Sequence, residues 1–121
     1  MASLFVISGA NGVDYYPLGR RTNVIGRHES VPIQVIDRRI SRKHLQIRFD
    51  KQTERYYALD MKSRNGVFIN SRTINEEALL ADGDQIRIGD TEMLFTLKDF
   101  PGRESALNHF KKVGERKFST S

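Results

Sequence analysis

The sequence predicts an all-β fold, an antiparallel sandwich or barrel, on three observations. Short apolar runs recur along most of the chain, turn residues separate them, and no helical periodicity appears between them. At 121 residues the chain is one domain's worth, enough for a single core.

The elements follow in order. Leu4-Phe5-Val6-Ile7 opens the series and Asn11-Gly12 marks a turn. Val24-Ile25 ends at Gly26, and Ile33 to Ile36 ends at Asp37. His44 to Phe49 alternates apolar and polar residues with period two, the mark of a half-buried strand, and Tyr57 to Met61 does so less cleanly. Val67-Phe68-Ile69 lies between Asn65-Gly66 and Asn70. Gln85 to Ile88 alternates again after Asp82-Gly83-Asp84, which reads as a hairpin turn, and Met93 to Leu97 closes the series. Asp99-Phe100-Pro101-Gly102 is a break. Beyond it Ala106, Phe110 and Val113 fall at helical spacing with Leu107 beside them, Lys111 and Lys112 in the last turn and Gly114 where a helix would end. The sequence therefore divides into a β-unit over residues 1–98 and an extension over 99–121, a short helix and a basic tail frayed from Glu115 to Ser121.

Composition excludes several classes. Apolar residues make up 38%, charged residues 29%, and mean hydropathy is −0.52, which is globular rather than disordered. No apolar run approaches the roughly 18 residues that span a bilayer, and the opening run is too short for a secretory leader. With no cysteine there is no disulfide framework and no thiolate nucleophile, and a reducing cytoplasm is the expected compartment. The net charge of +5 points to an anionic partner: nucleic acid, a membrane surface or phosphate groups. The surplus is localised. Residues 26–43 hold five basic against two acidic residues and residues 99–121 five against three, so these two stretches carry all of it.

Three polar clusters stand at strand ends: Gly26-Arg27, Arg38 to His44, and Lys62 to Gly66. Loops on a rigid sandwich are the usual seat of binding. Arginine forks, a serine hydroxyl, an asparagine amide and glycine-permitted backbone N–H groups make an inventory rich in donors, suited to a phosphate dianion.

These residues carry a resemblance. Gly26-Arg27, Ser41-Arg42-Lys43-His44 and Asn65-Gly66-Val67-Phe68-Ile69-Asn70 resemble the GR…SxxH…NGxxxN signature of forkhead-associated (FHA) domains. Leu80 to Gly89 is similar to that family's L-x-x-G-D-x-I-x-[IV]-G ending. The resemblance covers about Ser3 to Lys98. It implies a β-sandwich of about eleven strands whose loops at one end bind phosphothreonine in an extended peptide. By that likeness Arg27 and Ser41 contact the phosphate, Arg42 is a further phosphate donor, and Asn65 holds the ligand main chain. Arg64 stands where the family most often has Ser or Thr; it either adds to phosphate binding or points into solvent. Arg39 matches a position that in some members reads a ligand side chain and would favour an acidic one.

Structural roles are expected for Gly26 and Gly66, which serve turn or close-approach geometry, for His44, a partly buried imidazole tying the Ser41 loop to the backbone, and for Asn70, a turn-fixing side chain. Ser41 and His44 lack the orienting acid and oxyanion hole of a hydrolase. His28, His44 and His109 show no ligand spacing, Asp82 to Asp84 lack the rest of a calcium loop, and no nucleotide motif occurs, so neither metal nor cofactor is expected. Aromatics interleaved for base stacking are missing, which argues against nucleic acid. The reading is a non-enzymatic adaptor in Ser/Thr kinase signalling, its oligomeric state open with a monomer favoured, whose partner is a phosphothreonine protein or peptide, with neither nucleic acid nor membrane as partner. The alternative is a phospho-independent interaction or self-assembling β-sandwich module, with the tail as a docking helix. Ser119-Thr120-Ser121 are candidate phosphoacceptors.

Overall fold

The computed structural model describes residues 2–8 and 12–114. Two sheets face each other. The first runs β2 (Gly12–Pro17), β1 (Ser3–Ser8), β11 (Thr91–Thr96), β10 (Gln85–Ile88), β7 (Val67–Ile69), β8 (Arg72–Thr73). The second runs β4 (Ile33–Gln34), β3 (Asn23–Gly26), β5 (Leu45–Asp50), β6 (Arg55–Asp60), β9 (Ala78–Leu79). The fold is thus the expected eleven-stranded sandwich with a short C-terminal helix.

Residue pattern sets which face of each strand is covered. β5 alternates buried and half-buried residues because only Leu45, Ile47 and Phe49 face the opposite sheet. β1 reads as an unbroken apolar run because both of its faces are covered. Leu4 and Val6 enter the core between the sheets, whereas Phe5 and Ile7 face outward into a second cluster. β11 does the same with Met93 and Phe95 inside and Leu94 outside.

The outer cluster belongs to the C-terminal helix. Helix α1 (Arg103–His109) lays Ala106 against the first sheet, and Phe110 stacks at 5.2 Å from the Phe5 ring. Phe100 meets Phe5 and Tyr15 edge-on, and Arg103 pairs with Asp14 at 3.0 Å. The helix ends in a π-helical turn over Phe110–Gly114, whose wider winding leaves Val113 half exposed rather than in line with Ala106 and Phe110. The expected tail from Glu115, with Ser119-Thr120-Ser121, lies outside the described residues, as does Asn11.

Other expectations are corrected in detail. β2, β8 and β9 have no clear signal in the sequence: β2 is a half-buried edge strand with Asp14 inside it and Pro17 at its end, and the other two are two residues long. Of the Ile33–Ile36 run only Ile33 and Gln34 form strand β4, which lies parallel to β3 with Ile25 opposite Ile33 and Gly26 opposite Gln34. Ile36 is 77% exposed. Asp82 to Asp84 form a tight turn, with Asp84 N–H on the Ala81 carbonyl at 3.0 Å, but it joins β9 of one sheet to β10 of the other.

Candidate functional site

Adjacent strands deliver the polar loops to one end of the sandwich. β3, β4, β5 and β6 are neighbours in the second sheet, so the segments after β3, between β4 and β5, and between β6 and β7 emerge side by side. Backbone bonds extend the pairing into the loops: His44 N–H to Ile25 O at 3.0 Å, Arg27 N–H to Ser41 O at 3.0 Å, and Met61 N–H to His44 O at 2.9 Å. Gly26 is required at this junction. A Cβ there would overlap the Arg42 carbonyl oxygen, so only a bare α-carbon lets the two loops approach.

His44 is fully buried and is the hub of the site. Its Nδ1 accepts the Ser41 backbone N–H at 3.0 Å, which leaves the proton on Nε2 to be donated to the Gly66 carbonyl at 2.7 Å. One ring thus binds the β4–β5 loop to the β6–β7 loop. Both nitrogens are engaged with backbone, not with the Ser41 hydroxyl, so the ring has no lone pair to offer as a base. Gly66 itself sits at φ +83°, a left-handed conformation that suits glycine.

Around this hub the donors converge. Ser41 Oγ accepts the Arg64 backbone N–H at 3.1 Å, and its own O–H proton is left to donate. Arg27 Nε–H donates to the Ile40 carbonyl at 3.0 Å, which fixes the guanidinium and leaves its terminal N–H groups for a ligand. Asn65 donates one amide N–H to the Arg39 carbonyl at 2.8 Å and keeps its second N–H and its oxygen. These residues line a cavity of about 230 Å³ with Arg38, Arg39, Arg42 and Arg64. Among the described residues no carboxylate lines it; Arg39 reaches Asp90 at 3.7 Å across an exposed rim. An adjoining cavity of about 180 Å³ shares Arg39 and Asn65 and includes Phe68 and Arg87, whose guanidinium lies 4.3 Å over the Phe68 ring.

Two supports carried no motif signal strong enough to be read in advance. Asp37 accepts the Arg39 and Asp90 backbone N–H groups at 2.9 and 2.8 Å and the Thr91 hydroxyl at 2.8 Å, joining the β4–β5 loop to the β10–β11 turn. Partial burial would raise its pKa, but these three donors and the Arg39 charge outweigh burial and hold the carboxyl below its ordinary value. Ser63 Oγ accepts the Gly66 N–H at 3.0 Å while its own N–H caps back to Asp60 at 2.9 Å. A serine two residues before a motif asparagine is a signal of such a turn, visible only once the loop geometry is known. Asn70 closes the turn after β7. At φ +50° it donates to Asp84 Oδ1 at 2.9 Å and accepts the Gln85 N–H at 3.0 Å, a clamp on the far side of β7.

A sequence model of the FHA domain matches residues 23–89, over half the chain, spanning the Gly26-Arg27, Ser41–His44 and Asn65–Asn70 segments. The chain belongs to the FHA family. The FHA domain-containing protein FhaA of Mycobacterium tuberculosis is 38% identical over 79 residues, 65% of this chain and 14% of FhaA. The oxoglutarate dehydrogenase inhibitor of Corynebacterium jeikeium is 32% identical over 94 residues, 78% of this chain and 63% of that protein. The chain therefore spans less than two thirds of these relatives. Its FHA sandwich superposes with TM-score 0.68 and 30% identity on a structure from a study of phosphothreonine-dependent FHA domain interactions, covering 82% of this chain and 98% of that one. Among the described residues no helix is long and apolar enough to cross a membrane.

Proposed function

We propose that this FHA domain is a non-enzymatic module that binds phosphothreonine in a partner protein and serves as a cytoplasmic adaptor in Ser/Thr kinase signalling. One observation carries the reading: a cavity lined by five arginines and a free serine O–H, without a carboxylate, at the point where His44 locks two loops together. Such a cavity accepts a dianion and repels nothing in it. Arg27 and Ser41 supply the aimed donors, Arg42 and Arg64 reach the same anion from either side, and Asn65 holds peptide main chain. Arg39 extends the charge toward an acidic ligand side chain. The phosphothreonine-dependent interactions of the similar FHA structure support the ligand class.

The site residues divide by role. Gly26, His44, Gly66 and Asn70 shape the loops, whereas the arginines, Ser41 and Asn65 face the cavity. We assign residues 1–98 to the binding unit and 99–121 to an extension, whose helix α1 and Phe110 pack on the outer face of that unit. The test is a direct comparison of one peptide with and without phosphate on threonine, by fluorescence anisotropy. Binding only of the phosphorylated form is expected. Equal affinity for both forms would transfer the assignment to phospho-independent docking.

A further inference from the structure

We propose a second anion subsite beside the first, formed by His28, Ser30, Arg42 and Lys43 and suited to a second phosphate on the same peptide. The inference rests on the phosphothreonine reading and adds to it a ligand class: peptides phosphorylated twice.

Position is the first argument. The four residues line a cavity of about 430 Å³ that shares Arg42 with the phosphate cavity. Two successive backbone bonds, Arg27 N–H to Ser41 O at 3.0 Å and His28 N–H to Arg42 O at 3.2 Å, set the subsites one residue pair apart along the same two loops. An extended peptide crossing Arg27 and Ser41 therefore has Lys43 and His28 within its path, since it advances only about 3.3 Å per residue.

Donor chemistry is the second. His28 Nδ1 accepts the Ser30 backbone N–H at 3.0 Å and lies 2.7 Å from the Ser30 hydroxyl, so in the neutral ring Nε2 carries the proton and is a donor. Arg42 and Lys43 add two cations, and no carboxylate lines the cavity. Glu29, next to His28, is exposed.

Charge is the third. Together the two cavities are lined by six cations, Arg27, Arg38, Arg39, Arg42, Lys43 and Arg64. Among the described residues no carboxylate oxygen comes within 4.0 Å of a charged nitrogen of Arg38, Arg42, Lys43 or Arg64. One phosphothreonine brings at most about two negative charges, so a singly phosphorylated ligand leaves like charges crowded across both subsites. A second dianion relieves them, and Lys43, a compact charge with three rotatable donors, is free to reach it.

The experiment measures affinity for a set of peptides sharing one phosphothreonine and carrying a second phosphoserine at each position up to four residues on either side. At one spacing, or two adjacent ones, the second phosphate should tighten binding by about ten-fold or more, the effect of one added charge-assisted contact. Glutamate at that position should give a smaller gain. His28→Ala with Lys43→Ala should abolish the gain and leave affinity for the singly phosphorylated peptide unchanged. A gain equal at every position would show a diffuse field instead of a subsite, and a gain that survives the double substitution would place it elsewhere; either result overturns the proposal. Failure of the singly phosphorylated peptide itself to bind would instead remove the parent reading.

Discussion

Arg27→Ala is the substitution in which affinity and stability separate most clearly. Among the described residues the Arg27 side chain makes one bond, Nε–H to the Ile40 carbonyl at 3.0 Å, and is otherwise exposed. Removing it forfeits about 0.5–1.5 kcal/mol of folding free energy at most, and the exposed loop lets water reach the carbonyl. Binding loses more. The two terminal nitrogens left facing the cavity can each make a charge-assisted bond to phosphate, worth about 1.5–3 kcal/mol apiece. Their loss weakens binding by about 3–6 kcal/mol, or roughly two to four powers of ten. Arg27→Lys should fall between, because it restores charge without the planar fork or the Nε bond that aims it. Fluorescence anisotropy with a phosphothreonine peptide reads the affinity, and thermal unfolding of the same samples reads the fold. An affinity within three-fold of the parent would refute the placement of Arg27 on the phosphate. So would a variant that binds weakly only because it has unfolded.

Four further outcomes follow from the same geometry. Gly26→Ala, whose new Cβ meets the Arg42 carbonyl, should cost about 1–3 kcal/mol of stability and lower the unfolding midpoint visibly in calorimetry. His44→Ala should cost about 3 kcal/mol, since it empties a fully buried site and strands the Ser41 N–H and Gly66 carbonyl, whereas Ser41→Ala should leave the fold nearly unchanged and reduce phosphopeptide affinity at least ten-fold. Binding measured between pH 7.5 and 5 should weaken with acidity, because the phosphate passes from dianion to monoanion near pH 6. Asp37 does not contribute to that fall: its folded pKa is lowered, so its stabilisation is complete above its unfolded value of 3.8 and is lost only as pH drops below that and through the folded pKa. Phe110→Ala should destabilise the protein by about 3 kcal/mol in urea unfolding, by uncovering Phe5, while phosphopeptide affinity stays the same.

Legibility in the sequence followed burial pattern. β5 and β10 were readable because one covered face imposes period two, and β1 and β11 because two covered faces impose a continuous run. β2, β8 and β9 were not, being edge strands whose half-exposed residues obey neither rule. The helix was found from Ala106 and Phe110, but a π-turn is set by local packing and leaves no periodic trace, so Val113 was placed on the wrong side. At the site, residues that need a special backbone or a special element stood out: Gly26, Gly66, Ser41, His44 and Asn65. Asp37 and Ser63 did not, because their role depends on which loops the topology brings within 3 Å of them. His44 proved fully rather than partly buried, which follows from its position at the seam of two loops.

The site separates two kinds of polar group, and the separation explains how these loops can hold charge. Every buried side-chain nitrogen and oxygen among the described residues has a partner, and at the site those partners are mostly backbone groups, with the Thr91 hydroxyl added at Asp37. His44, Asp37 and Ser63 thus spend their hydrogen-bonding capacity on shape. Among the described residues the arginines keep theirs: Arg38, Arg42 and Arg64 meet no carboxylate, and the Arg27 side chain is anchored through Nε alone. A carboxylate partner for any of them would compete with the phosphate and would have to be displaced on binding. Anchoring Arg27 through a neutral backbone carbonyl instead leaves its charge available in the free protein. Variants of the first group should therefore change stability and variants of the second affinity, and a variant that moved both equally would mark a residue belonging to neither.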